Sequence, residues 1–150
     1  MTSNPDSPYN RDYAAYQLNG NFLRRLVRRY YLSAIARQVR GRAIDFGCGI
    51  GELLNFLPEG SAGLEINPAA VAWCRQKGLD VSLYDPDLDG YMFSGIRENQ
   101  YQTFIMNHVL EHIADAANVL KIIIKSCRRM GICRIILVLP GEKGFAFDST

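Results

Sequence analysis

Two histidines and one tryptophan are all that this 150-residue chain contains of those types, and none of its four cysteines belongs to a C-x-x-C pair. A zinc ribbon or a dithiol redox centre therefore has no framework. Cys48, Cys74, Cys127 and Cys133 are expected to be reduced thiols, mostly buried. No apolar run approaches the roughly 20 residues of a membrane span. The opening MTSNPDSPYN lacks the charged-then-apolar build of a secretory leader, so the expected compartment is the cytoplasm. Net charge is also small, at +2. Its spread is uneven, because residues 1–42 carry eight Arg and two Asp while the remainder is acidic. Nucleic acid is not an expected partner: four arginines on one helix, without an aromatic platform, make no binding surface for it.

A hydrophobic content of 48% against 21% charged residues is enough to build one domain with a proper core. The stretch that organises it is AIDFGCGIG, residues 43–51. An apolar strand carrying an acid runs into three glycines at alternate positions, and a helix is expected over 50–57. Further strands are expected at 42–46, 61–66, 79–84, 101–106 and 134–139, with helices over 68–77 and 114–130 and a mixed loop over 85–100. Pro68 and Gly78 bracket the first of those helices as a start and a stop signal. Strands alternating with helices give an α/β fold with a parallel sheet, whose ligands bind at the carboxyl ends of the strands. Asp45 to Gly51, Glu65, Asp85 and Asn107 mark four consecutive strand ends.

The N-terminal part divides in two. Residues 1–20 read as a flexible segment in which Tyr9, Tyr13 and Tyr16 would share a helix face, packed on the domain or closing over a ligand. Residues 21–39 read as an amphipathic helix, with Phe22, Leu23, Leu26, Val27, Tyr30, Tyr31, Ala34 and Ile35 inward and Arg24, Arg25, Arg28 and Arg29 in solvent. The domain proper spans 21–150.

Glycine spacing separates the cofactor classes. A dinucleotide turn has the form G-x-G-x-x-G, whereas Gly47, Gly49 and Gly51 give G-x-G-x-G. Asp45, ahead of the first glycine, would repel a pyrophosphate and would suit an ammonium or sulfonium group. A nicotinamide-dependent oxidoreductase is disfavoured on both counts.

AIDFGCGIG followed by GLEINP resembles the first two motifs of class I S-adenosylmethionine-dependent methyltransferases, and the resemblance covers about residues 40 to 145. It implies a Rossmann-like three-layer α/β/α sandwich with about five strands in the order 3-2-1-4-5, and S-adenosyl-L-methionine as cofactor. It implies that Asp45, Gly47, Cys48, Gly49 and Gly51 lie against the methionine and ribose parts. Glu65 would accept the ribose hydroxyls, Ile66 would lie on the adenine and Asp85, with Asp87 as the alternative, would meet its amino group. FIMNHVLEHI matches the fourth-strand region, with Asn107 and His108 toward the methyl group.

H-x-x-E-H, His108 to His112, is also a zinc-peptidase pattern when helical. A third ligand is not evident, so that reading is minor. The segment also resembles the E-x-x-E-H of metal-dependent methyltransferases, except that His108 replaces the first Glu. Glu111 and His112 are the weak metal candidates, and no metal is expected. The expected activity is methyl transfer to a small-molecule acceptor, at oxygen or nitrogen. His108 is the first and His112 the second candidate base. An S-adenosylmethionine-binding module without turnover is the alternative. Because little follows residue 140, strands six and seven of the family are expected to be missing, leaving strand five as an apolar edge. A truncated chain, a homodimer or the N-terminal segment would account for that edge.

Overall fold

The computed structural model describes residues 22–140 and 145–148, with side chains for 24–140. The tyrosine stripe of residues 9–16 lies outside these residues. Helix α1 is Phe22–Ala36, α2 is Pro68–Gln76, α3 is Pro86–Asp89 and α4 is Ala116–Arg129. The strands are β1 Ala43–Phe46, β2 Ala62–Glu65, β3 Val81–Leu83, β4 Thr103–Asn107, β5 Arg134–Val138 and β6 Phe145–Asp148. They form one sheet in the order β3-β2-β1-β4-β5-β6. The first five are parallel, as expected, in the order 3-2-1-4-5.

Side-chain alternation along the parallel strands divides the core between two faces. Ile44, Phe46, Phe104, Met106 and Ile135 pack with Ile123 and Cys127 of α4. Ala43, Ile105, Ile136 and Val138 pack with Leu32 and Ile35 of α1. Helix α2 adds Val71 and Cys74, against Leu54 and Val81. Each fully buried Ile or Leu contributes about 1.5–3 kcal/mol, so the central strands are the most securely held part of the sheet. Helix α2 begins where Asn67 accepts a hydrogen bond from the Ala69 N–H at 2.9 Å, with Pro68 next. Trp73 is half-buried against the α2 cluster, and Lys77 Nζ sits 4.9 Å from its ring centre.

Four expectations are corrected. Strand β5 is not an edge, because β6 pairs with it antiparallel, from Leu137↔Phe145 to Arg134↔Asp148. Within the chain, the apolar ladder is thus covered by its own following segment, and the premise for a homodimer over that edge falls away. The helix expected over 50–57 is only a 3-10 turn, Leu53–Phe56. Gly51 takes a left-handed φ of +75, and the Asn55 side chain donates to its carbonyl at 3.1 Å, so no α-helix starts there. In α1, Leu26, Val27 and Tyr30 are 55%, 60% and 71% exposed. Its inner face is confined to Tyr31, Leu32 and Ile35, because only the later turns lie over the sheet, while Arg28, exposed as expected, borders the cleft. Lastly, Cys133 is exposed, while Cys74 and Cys127 are buried as expected. Among the described residues, no helix is long and apolar enough to cross a membrane.

Candidate functional site

Between β1 and the 3-10 turn, the chain reverses through Gly47, Gly49 and Gly51, all at positive φ. At Gly47 a Cβ would run into Val109, so glycine is required there for space as well as for conformation. Four N–H groups of this turn bond within the protein. Gly47 and Cys48 both donate to the Leu64 carbonyl, at 2.8 and 3.2 Å, and Gly51 donates to the Cys48 carbonyl at 2.9 Å. Gly49 donates to Glu65 Oε2 at 2.7 Å. A phosphate cradle needs such donors pointing at the ligand. This turn has none of these four to spare, which is the physical reason it does not suit a pyrophosphate.

Acceptors dominate instead. Asp45 is 2% exposed, and its Oδ1 has no hydrogen-bond partner among the described residues. Burial first, and then the neighbouring Glu65 charge, push its carboxyl up to about 8. A cation brought alongside would relieve the desolvation. Glu65 closes β2 with Oε2 on Gly49 and Oε1 accepting from the Asn67 N–H at 2.8 Å. It is not the cap of α2, since Asn67 has that role. Each of its oxygens keeps a second lone pair for a ligand hydroxyl.

A cleft of about 270 Å³ opens on this turn. Asp45, Gly47, Cys48, Gly49, Asn107 and His108 line it, from the residues the sequence singled out. Gly51, Glu65, Ile66, Asp85 and His112 do not. Gly51 is a packing residue, whose missing Cβ makes room for Leu79. Ile66 is 63% exposed at the end of β2. Asp85 caps α3 by accepting from the Asp87 and Leu88 N–H groups, on the wall of a separate cavity of about 510 Å³. Cys48 fills space: its Sγ occupies the room left by Gly63, and burial pushes its thiol far up, which keeps it neutral and no nucleophile.

Four lining residues, Arg28, Leu32, Glu52 and Leu53, lie outside the motifs. Arg28 reaches from α1 to form an ion pair with Glu52 through its Nε. Tyr31, one turn on, donates its hydroxyl to Asn107 Oδ1 at 2.6 Å, and its ring lies 6.1 Å from that of His108. Arg28, Tyr31, Leu32 and Ile35 are spaced i, i+3, i+4, i+7, a signal that the arginine's charge obscures.

His108 takes a left-handed φ of +57, rare for a residue with a side chain. Its Nδ1 is 3.2 Å from Glu111 Oε1. Only Leu110–His112 is helical, as a 3-10 turn. His108 and His112 therefore do not share an α-helical face, and the helical zinc-peptidase arrangement is not formed. Among the described residues, no three His, Cys, Asp or Glu side chains converge as a metal site.

The same architecture recurs in solved proteins. Magnesium protoporphyrin IX methyltransferase (ChlM) from Synechocystis PCC 6803, solved with bound SAH, is similar at a TM-score of 0.57 and 19% identity, over 79% of this chain and 60% of that one. A SAM-dependent methyltransferase from Archaeoglobus fulgidus is similar at 0.54 and 22%, over 77% and 50%. The [4+2]-cyclase SpnF is similar at 0.53 and 15%, over 75% and 49%, so the fold by itself does not specify the reaction. The chain spans about half the length of several of the structures it matches. No curated protein sequence matches. The fold is that of the class I S-adenosylmethionine-dependent methyltransferases. Within it, the family described as "Methionine biosynthesis protein MetW" matches residues 29–140, from within α1 to just past β5, and the chain belongs to that family.

Proposed function

We propose that this chain binds S-adenosyl-L-methionine in the glycine-turn cleft and transfers its methyl group to a small-molecule acceptor, at oxygen or nitrogen. The observation that carries the reading is the buried, unpartnered carboxylate oxygen of Asp45, in a cleft where the N–H groups of Gly47, Cys48, Gly49 and Gly51 are already used. Such a site favours a positively charged ligand over a phosphate. Bound there, the cofactor supplies a methyl group already activated for transfer.

The chain's own residues have separable tasks. Glu65, held by two backbone N–H groups, is oriented to accept from ribose hydroxyls. Exposed Ile66 offers an apolar surface to the adenine, and Asp85 retains a carboxylate oxygen for its amino group. Asn107, fixed by Tyr31, and the glycine turn shape the methionine end. His108 lies at the cleft and is the base for a hydroxyl acceptor, with Glu111 holding its Nδ1 side. His112 is the second candidate.

Titration calorimetry with S-adenosylmethionine and S-adenosylhomocysteine is the test, followed by labelled-methyl transfer across small hydroxyl and amine acceptors. Binding that weakens at least about tenfold in Glu65→Ala is expected, the size of a lost charge-assisted hydrogen-bond pair. The reading fails if neither compound binds and Glu65→Ala changes nothing. Binding without transfer to any acceptor would favour a cofactor-binding module, the second reading, which the SpnF likeness keeps open.

A further inference from the structure

Helix α1 has two apolar faces, and the sheet uses one of them. Leu32 and Ile35 pack with Ile105, Ile136 and Val138. Leu26, Val27 and Tyr30 come round, by helical geometry, to nearly the opposite side, and each is more than half exposed. Arg24 and Arg29, both exposed, border this outward patch on its two flanks. No Asp or Glu occurs in α1, and Arg28, on the cleft side, is engaged by Glu52. An apolar stripe edged by arginines is the layout of a helix that lies in a lipid interface. The apolar side chains enter the acyl boundary and the guanidinium groups reach the phosphates. Tyr30 suits that boundary, with an apolar ring and a polar hydroxyl.

Other occupants fit less well. Three side chains fall short of the roughly 800 Å² that each side of a stable protein interface buries. A second copy seated on the patch about a two-fold axis would set arginine flanks against arginine flanks. A lipid surface needs no matching shape. A few inserted side chains add there to the attraction between basic residues and anionic headgroups.

We propose that α1 docks the protein on an anionic membrane surface, with Leu26, Val27 and Tyr30 inserted and Arg24 and Arg29 on the headgroup phosphates. This does not depend on the cofactor reading above. Arg28 and Leu32 line the glycine-turn cleft from the inner side of the same helix. Docking therefore sets the cleft one helix diameter, about 10 Å, from the headgroups.

The test is flotation of the full chain with vesicles of phosphatidylcholine alone and of an equimolar mixture of phosphatidylcholine and phosphatidylglycerol. Binding to the anionic vesicles is expected to be about tenfold or more tighter than to the neutral ones, and to weaken as salt is raised. Leu26→Ser with Val27→Ser, and separately Arg24→Glu with Arg29→Glu, should each lower it by about tenfold or more. All four positions are exposed, so melting temperatures close to that of the unaltered protein are expected. Tyr30→Trp gives a direct readout of insertion. Over the constant signal of Trp73, its emission should move to the blue on anionic vesicles and be quenched by bromine-labelled lipid. Where a double variant fails to fold, that emission still decides. Absence of binding to anionic vesicles overturns the proposal. So does binding that survives Leu26→Ser with Val27→Ser, or a Tyr30→Trp emission that vesicles leave unchanged. A chain that stays off vesicles while light scattering shows a dimer, dissociated by Leu26→Ser with Val27→Ser, assigns the patch to a second copy and overturns it as well.

Discussion

Asp45 and Glu65 stand on paired parallel strands, yet only Glu65 has both carboxylate oxygens matched by backbone N–H groups, while Asp45 keeps a buried oxygen without a partner. The contrast follows from position. Glu65 is the last residue of β2 and reaches the glycine turn and the start of α2, whereas Asp45 lies within β1, opposite Gly63, where the neighbouring backbone is occupied by the ladder. One acid is structural before any ligand arrives; the other is left as an acceptor inside the cleft.

A pH dependence follows from Asp45. Its folded-state value is raised from 3.8 to about 8, so the native protein holds a proton there that the unfolded chain has released. Its contribution to stability is complete below the unfolded value and is lost as pH rises through about 8. The limiting slope for one group is about 1.4 kcal/mol per pH unit. Urea unfolding of the unaltered protein and Asp45→Asn, compared from mildly acidic to mildly alkaline pH, should show the variant gaining relative stability toward high pH. Calorimetry at neutral pH in buffers of different ionisation enthalpy should show more proton release on binding S-adenosylmethionine than on binding the uncharged thioether S-adenosylhomocysteine. Equal proton release would place the sulfonium away from Asp45.

The base assignment separates the two histidines. His108 lines the cleft and His112 does not. Because His108 sits at a φ of +57, alanine would confound loss of the imidazole with backbone strain. Asparagine tolerates that conformation. With a hydroxyl acceptor, His108→Asn is expected to lower turnover by about 10²-fold or more at unchanged S-adenosylhomocysteine affinity. His112→Ala should stay within about threefold. Full turnover in His108→Asn would remove it as the base.

The alternation of strands and helices, the glycine turn and the four strand-end positions were legible in the sequence because each is a local pattern, whereas the strand order came from the family resemblance. Ile135 to Leu139 is an apolar run of strand length, and Asp45, Glu65 and Asn107 punctuate such runs. What escaped depends on tertiary context. Leu26, Val27 and Tyr30 have helical spacing but project where α1 has no sheet beneath it, and Arg28, though exposed, borders the cleft because Glu52 meets it there. The 3-10 turn after Gly51 reflects a competing side-chain bond from Asn55, and β6 forms in a segment whose strand pattern is only four residues long. Ionic and edge-pairing choices of this kind are made by partners distant in sequence, which periodicity does not see.

Covering of β5 by β6 is testable at the level of association. A chain ending before residue 145 would expose the hydrogen-bonding edge of Ile135, Ile136 and Leu137. Long apolar edges recruit other chains. Light scattering should show the shortened chain self-associating at concentrations where the full chain does not. A monodisperse shortened monomer would mean that β6 is dispensable for protecting β5.

The contact between Gly63 and Cys48 offers the cleanest probe of the turn's packing. A Cβ on Gly63 would lie 2.5 Å from Cys48 Sγ and 3.1 Å from its Cβ, and Gly63 has no left-handed φ to complicate the reading. Gly63→Ala must therefore push the Cys48 side chain toward the cleft or spread β1 from β2. Overpacking of this kind costs about 1–3 kcal/mol. Cys48→Ala removes the nearest atom and leaves the 3.1 Å contact, so the double variant should recover part of the loss, a non-additivity that marks direct contact. If Cys48 moves into the cleft, Gly63→Ala will also weaken S-adenosylhomocysteine binding, and Cys48→Ala will restore it. Additive stability changes with unaltered binding would show instead that the strain is absorbed by Leu54, the other neighbour at 3.1 Å, on the side of the α2 cluster.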